Sequence, residues 1–329
     1  MARIAVGVVI WTALAARVWC SEPATTTTVT VRDAAGLRQA LAKAQPGTRI
    51  LLEPGEYPGG FSFANLRGEP GRPIVVAAAD PRNPPVFKSG GAGMHLADAA
   101  YLELHDLTVS GWSANGLNID DGGSYDTPAH HIVLRGLRVI GSAPPGNRDG
   151  IKLSGVDDFR VEGCTIEGWG TGGGSAIDMV GCHRGLIEGC TFRHTDAPGS
   201  TGVQAKGGSS DVVVRRNRFE NAGGRAVNIG GSTGLAYFRP RFGRARDRLR
   251  ATAKRKTFES KATCSSADWR PWLLWDATGR LCASTRSIGR GAGRCGFCRR
   301  RASRALCRRA TPSSRIISLR FDQMRCSRR

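Results

Sequence analysis

The stretches "FRVEGCTIEGW" (residues 159–169) and "GLIEGCTFRHT" (residues 185–195) nearly repeat each other, 26 residues apart. They belong to five copies of one pattern: "LHDLTV", "LRGLRV", "VEGCTI", "IEGCTF" and "VRRNRF", starting at Leu104, Leu134, Val161, Ile187 and Val214. Each copy alternates apolar and polar side chains, the two-residue period of a half-buried strand. Gly, Asn, Asp and Ser fill the joints between them, as turns require. Strands recurring every 26–30 residues describe a solenoid, in which no single rung can bury its own apolar side and stacked rungs enclose a shared core. The fold class that follows is all-β. Leu107, Leu137, Cys164, Cys190 and Asn217 hold equivalent places and are expected as one internal stack, which makes the two cysteines buried thiols in preference to a disulfide or metal pair.

A second alternating segment lies between successive copies: "GMHLA", "GLNID", "GIKLS", "AIDMV", "GVQAK" and "AVNIG". Its apolar pairs, such as Ile151/Leu153 and Ile177/Met179, are expected to face inward. The residue between each pair then faces outward, which lines up His95, Asn118, Lys152, Asp178, Gln204 and Asn228. Two positions further on, the same face carries Ala97, Asp120, Ser154, Val180, Lys206 and Gly230. This column is either an ordinary solvated face with a Lys152–Asp178 ion pair or the floor of a groove. The insertions "DGGSYDTPAHH" and "GSAPPGNRDG" are placed to wall such a groove, and a long shallow groove suits a linear polymer. At the start of the chain, Leu37, Ala40, Leu41 and Ala44 share one helical face before a break at Pro46-Gly47. A helix there is expected to cap the open end of the solenoid.

The cap segment, "RPIVVAAADPRNPPVF" and the coils through "NIGGSTGLAYFRP" resemble the right-handed parallel β-helix, pectate-lyase-like proteins. Within that group they are most similar to polysaccharide lyases of the chondroitinase B and alginate lyase type. The resemblance covers residues 28–240. It implies a right-handed parallel β-helix with an N-terminal capping helix, acting on an acidic, uronate-containing polysaccharide by β-elimination. Such lyases use a Lys base, an Arg partner and, in many cases, Ca2+. Lys206 in "VQAKGGSSDVVVRRNRF" resembles the Lys-small-Ser segment of the group, which makes it the expected base. Lys152 and Arg225 are the other catalytic candidates; Asn228 stands near where the group carries its Arg. His95, Asn118, Asp120, Asp149, Asp178, Gln204 and Asn228 are the expected substrate-binding residues.

Two other functions remain open on the sequence. "NRDGI" (residues 147–151) resembles the Asn-Thr-Asp-Gly motif of polygalacturonases, and a hydrolase could draw its carboxylate pair from Asp120, Asp121, Asp149 and Asp178. A non-catalytic glycan-binding or adhesin solenoid would be favoured by an aromatic stripe on the groove, where the sequence offers only the scattered Trp112 and Trp169.

The formal charge of +21 is concentrated at one end. Residues 1–243 hold 24 Lys and Arg against 22 Asp and Glu, whereas residues 244–329 hold 24 against 5 and also six of the ten cysteines. The excess therefore describes a tail, and no nucleic-acid partner is expected despite it. The opening "MARIAVGVVIWTALAARVWCSEPATTTT" has the layout of a secretory signal peptide over residues 1–20, so the protein is expected to be secreted, periplasmic or on the cell surface. Its apolar run is short for a membrane span. The repeat domain is placed at 21–243 and an irregular, disordered Arg/Cys-rich tail at 244–329. Cys282, Cys295, Cys298 and Cys307 make only a loose zinc pattern.

The tail has another explanation. In the frame built from each codon's third base and the next codon's first two, Asp268–Trp269 must give Leu, Trp275–Asp276 Gly and Phe297–Cys298 Leu. One permitted reading from just after Gly243 contains "DIRVEGNMF", close to the protein's own "DFRVEGCTI" at residues 158–166. A frameshift near Gly243 is therefore expected, with the β-helix continuing in the other frame. The product as written would then be an inactive, truncated form of its parent.

Overall fold

The computed structural model describes residues 26–141, 145–195, 197–239 and 258–264. The signal segment, the zinc pattern and all of the tail except its residues 258–264 lie outside them.

The chain winds into a parallel β-solenoid. One face is a seven-stranded sheet running from Phe61–Ala64 through Ala92–Ala97, Asn115–Asp120, Ile151–Ser154, Gly172–Val180 and Gly199–Lys206 to Arg225–Ile229. The other two faces are hydrogen-bonded into one sixteen-stranded sheet. Successive rungs pair in parallel: Val161 stands on Leu134 and under Ile187, and Ile166 lies between Val139 and Phe192. Alternation within each strand sends these residues inward, where all six are at most 1% exposed. Each such side chain contributes roughly 1.5–3 kcal/mol by leaving water. The stack Leu107, Leu137, Cys164, Cys190 and Asn217 is buried as expected, and both cysteines are free thiols. Asn217 is tolerated there because Cys190 N–H donates to its Oδ1 at 2.8 Å and its Nδ2 donates to Ile187 O at 2.9 Å.

Each rung turns through corners with positive φ. Tyr101, His131, Asp158, Arg184 and Asp211 form one column with φ of 47–58°. Gly155, Gly181 and Gly207 form another, directly after the seven-stranded sheet. The first end is closed by the helix Ala34–Ala42, whose Asp33 cap accepts from Gly36 N–H and whose Leu37, Ala40 and Leu41 are buried on the core. At the other end, Phe258–Cys264 pairs in parallel with Ser210–Glu220. These seven residues lie in the stretch expected to be irregular, and their strand is an exception to that expectation. Arg225–Ile229 ends the seven-stranded sheet among the described residues.

Candidate functional site

The outer face of the seven-stranded sheet carries the polar column in the anticipated register. His95, Asn118, Lys152, Asp178, Gln204 and Asn228 are direct ladder neighbours from rung to rung. Ser62 extends the ladder by one rung, opposite His95. It lies before the first copy of the repeated phrase, so the pattern did not reveal it.

Asp178 is at the centre. Its strand points it outward, yet it is 0% exposed, because the lysines of the neighbouring rungs fold over it. Lys152 Nζ bonds Asp178 Oδ2 and reaches Asp149 Oδ2 at 3.3 Å. Lys206 Nζ stands 3.1 Å from the same Asp178 Oδ2. Asp178 Oδ1 is buried without a hydrogen-bond partner among the described residues. Asp149 is 2% exposed and precedes its strand; its Oδ1 accepts from Ser175 N–H at 2.8 Å, and its own N–H donates to Asn115 Oδ1. Burial, and then the charge of Asp178, push the Asp149 carboxyl up to about 6. Burial presses the Lys152 ammonium down, but the carboxylates of Asp178 and Asp149 outweigh it and hold it above its ordinary value.

The flanking rungs are tied by weaker contacts. Ser175 Oγ donates to Gln204 Oε1 at 3.1 Å, and Gln204 Nε2 and Asn228 Nδ2 both donate to Gly230 O at 3.3 Å. On the other side, His95 Nε2 donates to Asp120 Oδ2 at 2.8 Å while its Nδ1 faces Ser62 Oγ at 3.4 Å. Asp120 also accepts from Asn118 Nδ2 and Gly122 N–H.

Several candidates sit elsewhere than the sequence suggested. Arg225 has the strand parity of the inward Val227, opposite to Asn228, so its side chain starts away from the column. Asp121 is withdrawn: it is 1% exposed, and Arg239 Nη2 donates to its Oδ1 at 2.9 Å. Trp112 and Trp169 are 1% and 0% exposed, packed in the core, so neither forms part of an aromatic stripe.

Arg239 ends a strap the sequence did not announce. After Arg225–Ile229, residues 230–239 turn back along the solenoid. Gly231 lies against Gln204, Thr233 against Gly207, and the Arg239 stem against Gly181 and Gly155. At Gly181, where φ is +63°, an added Cβ would stand 2.6 Å from Arg239 Cβ. The glycine column is therefore the bed of the strap. Arg239 also lies over the Tyr125 ring, 4.3 Å from its centroid. The strap and the 121–131 insertion meet beside one end of the column's strands, through Arg239 on Asp121 and Tyr125.

Residues 92–240 match the family model described as right handed beta helix region. The fold is a right-handed parallel β-helix. Its solved neighbours include an alginate lyase from Paenibacillus sp. str. FPU-7, at 17% identity and a TM-score of 0.55 over 76% of this chain and 91% of that one. The PL6 family alginate lyase AlyGC matches at 13% identity and a TM-score of 0.55, over 73% of this chain but only 32% of its own length. No curated protein matches the sequence. At such identities the likeness is one of fold.

The calcium implied by the lyase resemblance needs several oxygen ligands free to turn toward it. The column does not offer them: Asp149 and Asp178 share the Lys152 ammonium, Asp120 is engaged by His95, and Asp121 by Arg239. No cluster of three or more His, Cys, Asp or Glu suited to a metal occurs among the described residues. Nor is any described helix long and apolar enough to cross a membrane.

Proposed function

We propose that this β-helix is carbohydrate-active and cleaves an acidic, uronate-containing polysaccharide by β-elimination along the polar column. The observation that carries this reading is the pair of lysines, Lys152 and Lys206, converging on the buried carboxylate of Asp178 in the middle of the polar column. Cations set in a low-dielectric floor attract an anionic polymer. The polysaccharide lyases among the fold neighbours add support.

In this mechanism Lys206, with its Nζ positioned by Asp178, takes the proton next to the uronate carboxylate when it is in its neutral form. The electron pair of that C–H bond becomes the new C=C bond. The glycosidic C–O bond breaks, and its oxygen leaves and takes up a proton from water. Lys152 is held charged by two carboxylates, so it serves as fixed positive charge and not as the base. Gln204, Asn228, Asn118 and His95 line the path of the chain on either side. The hydrolase reading is weaker, because the Asp149–Asp178 pair lies buried behind Lys152.

Incubation with acidic polysaccharides separates the possibilities. New ultraviolet-absorbing unsaturated ends support elimination. New reducing ends without that absorbance mean hydrolysis, and binding without cleavage means a glycan-binding solenoid; either result overturns the reading.

We also propose that the protein is exported by its N-terminal segment and that the coding frame slips near Gly243. The family match ends at residue 240, just before the proposed slip, which supports the second point.

A further inference from the structure

Ser62, His95 and Asp120 come from three successive rungs of the seven-stranded sheet and meet on its outer face. Phe61 lies in the core and Phe63 packs against it, so alternation turns Ser62 outward, where it is exposed. His95 stands opposite Ser62 in the ladder. Its imidazole reaches both ways: Nε2 donates to Asp120 Oδ2 at 2.8 Å, and Nδ1 faces Ser62 Oγ at 3.4 Å. With the proton on Nε2, Nδ1 keeps the lone pair that can accept a serine proton. Asp120 is itself fixed: Asn118 Nδ2 donates to its Oδ2 at 3.2 Å and Gly122 N–H to its Oδ1 at 2.9 Å. A hydroxyl, a base beside it and a carboxylate orienting that base make the pattern of an activated nucleophile, which is recognised by geometry and not by chain position. Such a hydroxyl–base contact is often long before substrate binds. Phe61–Ala64 is also the end strand of its sheet among the described residues. Asn65 N–H donates to Ala97 O on the neighbouring strand, so alternation turns the N–H groups of Ser62 and Ala64 to the open edge. Backbone donors beside the nucleophile are what a developing oxyanion requires.

We propose that Ser62, His95 and Asp120 form a second catalytic site, one that hydrolyses carboxylic esters. Ser62 Oγ attacks the carbonyl carbon as its proton passes to His95 Nδ1. The ester C–O bond breaks, and the departing oxygen takes that proton from His95. Water then attacks the acyl group on Ser62 and gives a proton to His95 Nδ1, which returns it to Ser62 Oγ as the carboxylic acid leaves. Ser62 and His95 are the catalytic residues, and Asp120 is a positioning residue. Asn118 and Lys152 separate His95 from Asp178 in the ladder, which sets the two sites about 14 Å apart by the spacing of strands. The natural substrate, an O-acyl group on a sugar of the bound polymer, rests on the carbohydrate reading above; the serine chemistry does not.

The experiment is labelling of the full chain with a fluorophosphonate, which phosphonylates activated serines with loss of fluoride, together with hydrolysis of 4-nitrophenyl acetate. Neither readout uses polysaccharide, so failure here is distinct from failure of the proposed elimination. All three residues precede Gly243, so the chain as written serves. Mass spectrometry is expected to find one adduct, on Ser62, and none in Ser62→Ala. Ser62→Ala and His95→Ala are each expected to lower acetate release by roughly 100-fold or more, and the double variant no further, because the pair acts as a unit. Asp120→Asn is expected to lower kcat with KM unchanged, and Asp120→Glu to recover part of the loss. A parent chain, folded by its circular dichroism, in which Ser62 takes no label would overturn the proposal. So would labelling of Ser62 at an equal rate in His95→Ala, which would make it an unactivated surface hydroxyl.

Discussion

Alternation along its strand assigns Asp178 to the outer face, yet none of its surface reaches solvent. The facing follows from the two-residue period; the burial does not, because it depends on where two long lysine side chains come to rest. Those lysines were legible as neighbours in the column, but their shared carboxylate was not. Asp149 was named as a candidate, but its contact with Lys152 was not legible because it belongs to a turn; Ser62, which lies outside the repeated phrase, was missed. Asp149 allows a test by pH. Its carboxyl is raised to about 6 in the folded chain, so its protonated form is favoured by folding. The stability this gives is complete below about pH 4, the ordinary carboxylate value, and is lost as pH rises through 6. Asp149→Asn should not share that loss. The stability of the parent minus that of the variant should fall between pH 4 and 6 by roughly 2–3 kcal/mol. Denaturant melts of both proteins across that range check it, and a flat difference contradicts the raised value.

The strap at residues 230–239 has no periodicity and was read as the last stretch of coil. What defines it is a set of long-range contacts: Gly155, Gly181 and Gly207 open a bed beside it, and Asp121 waits buried at its end. Each glycine could be read as a turn on its own. Their common purpose appears only when the rungs are stacked in register. Arg239→Ala strands the Asp121 carboxylate at 1% exposure. Loss of one partner of a buried ion pair costs about 3–5 kcal/mol, so the variant should melt well below the parent. Adding Asp121→Asn should recover part of the loss. A double variant no more stable than Arg239→Ala would mean that the strap is held by its stem packing and not by the pair.

The repeat, the register of the rungs it covers and the capping helix were legible in the chain, because a solenoid repeats local information and its core is a sum over neighbours; the first strand of the seven-stranded sheet, Phe61–Ala64, was not. The ladder through Leu134, Val161, Ile187 and Val214 is the sequence repeat made spatial. The C-terminal end is different. Arg225–Ile229 leaves a strand edge uncovered among the described residues, and an open edge invites association. If the frame slips near Gly243, sequencing the gene and its transcript across codons 240–246 should show a missing or extra base, with the shifted frame open beyond codon 329. The restored chain should also be more soluble than the chain as written. An uninterrupted frame in both gene and transcript would make the basic, Cys-rich tail genuine. The central claim concerns the column itself, and it is tested most directly by the rate at which unsaturated ends appear from a uronate polymer treated with the frame-restored chain and with its Lys206→Ala variant. Loss of a general base lowers the rate by roughly 10²–10⁴-fold, and the account predicts a fall of that size with polymer binding retained. Equal rates from the two proteins would remove Lys206 from the chemistry and contradict the account.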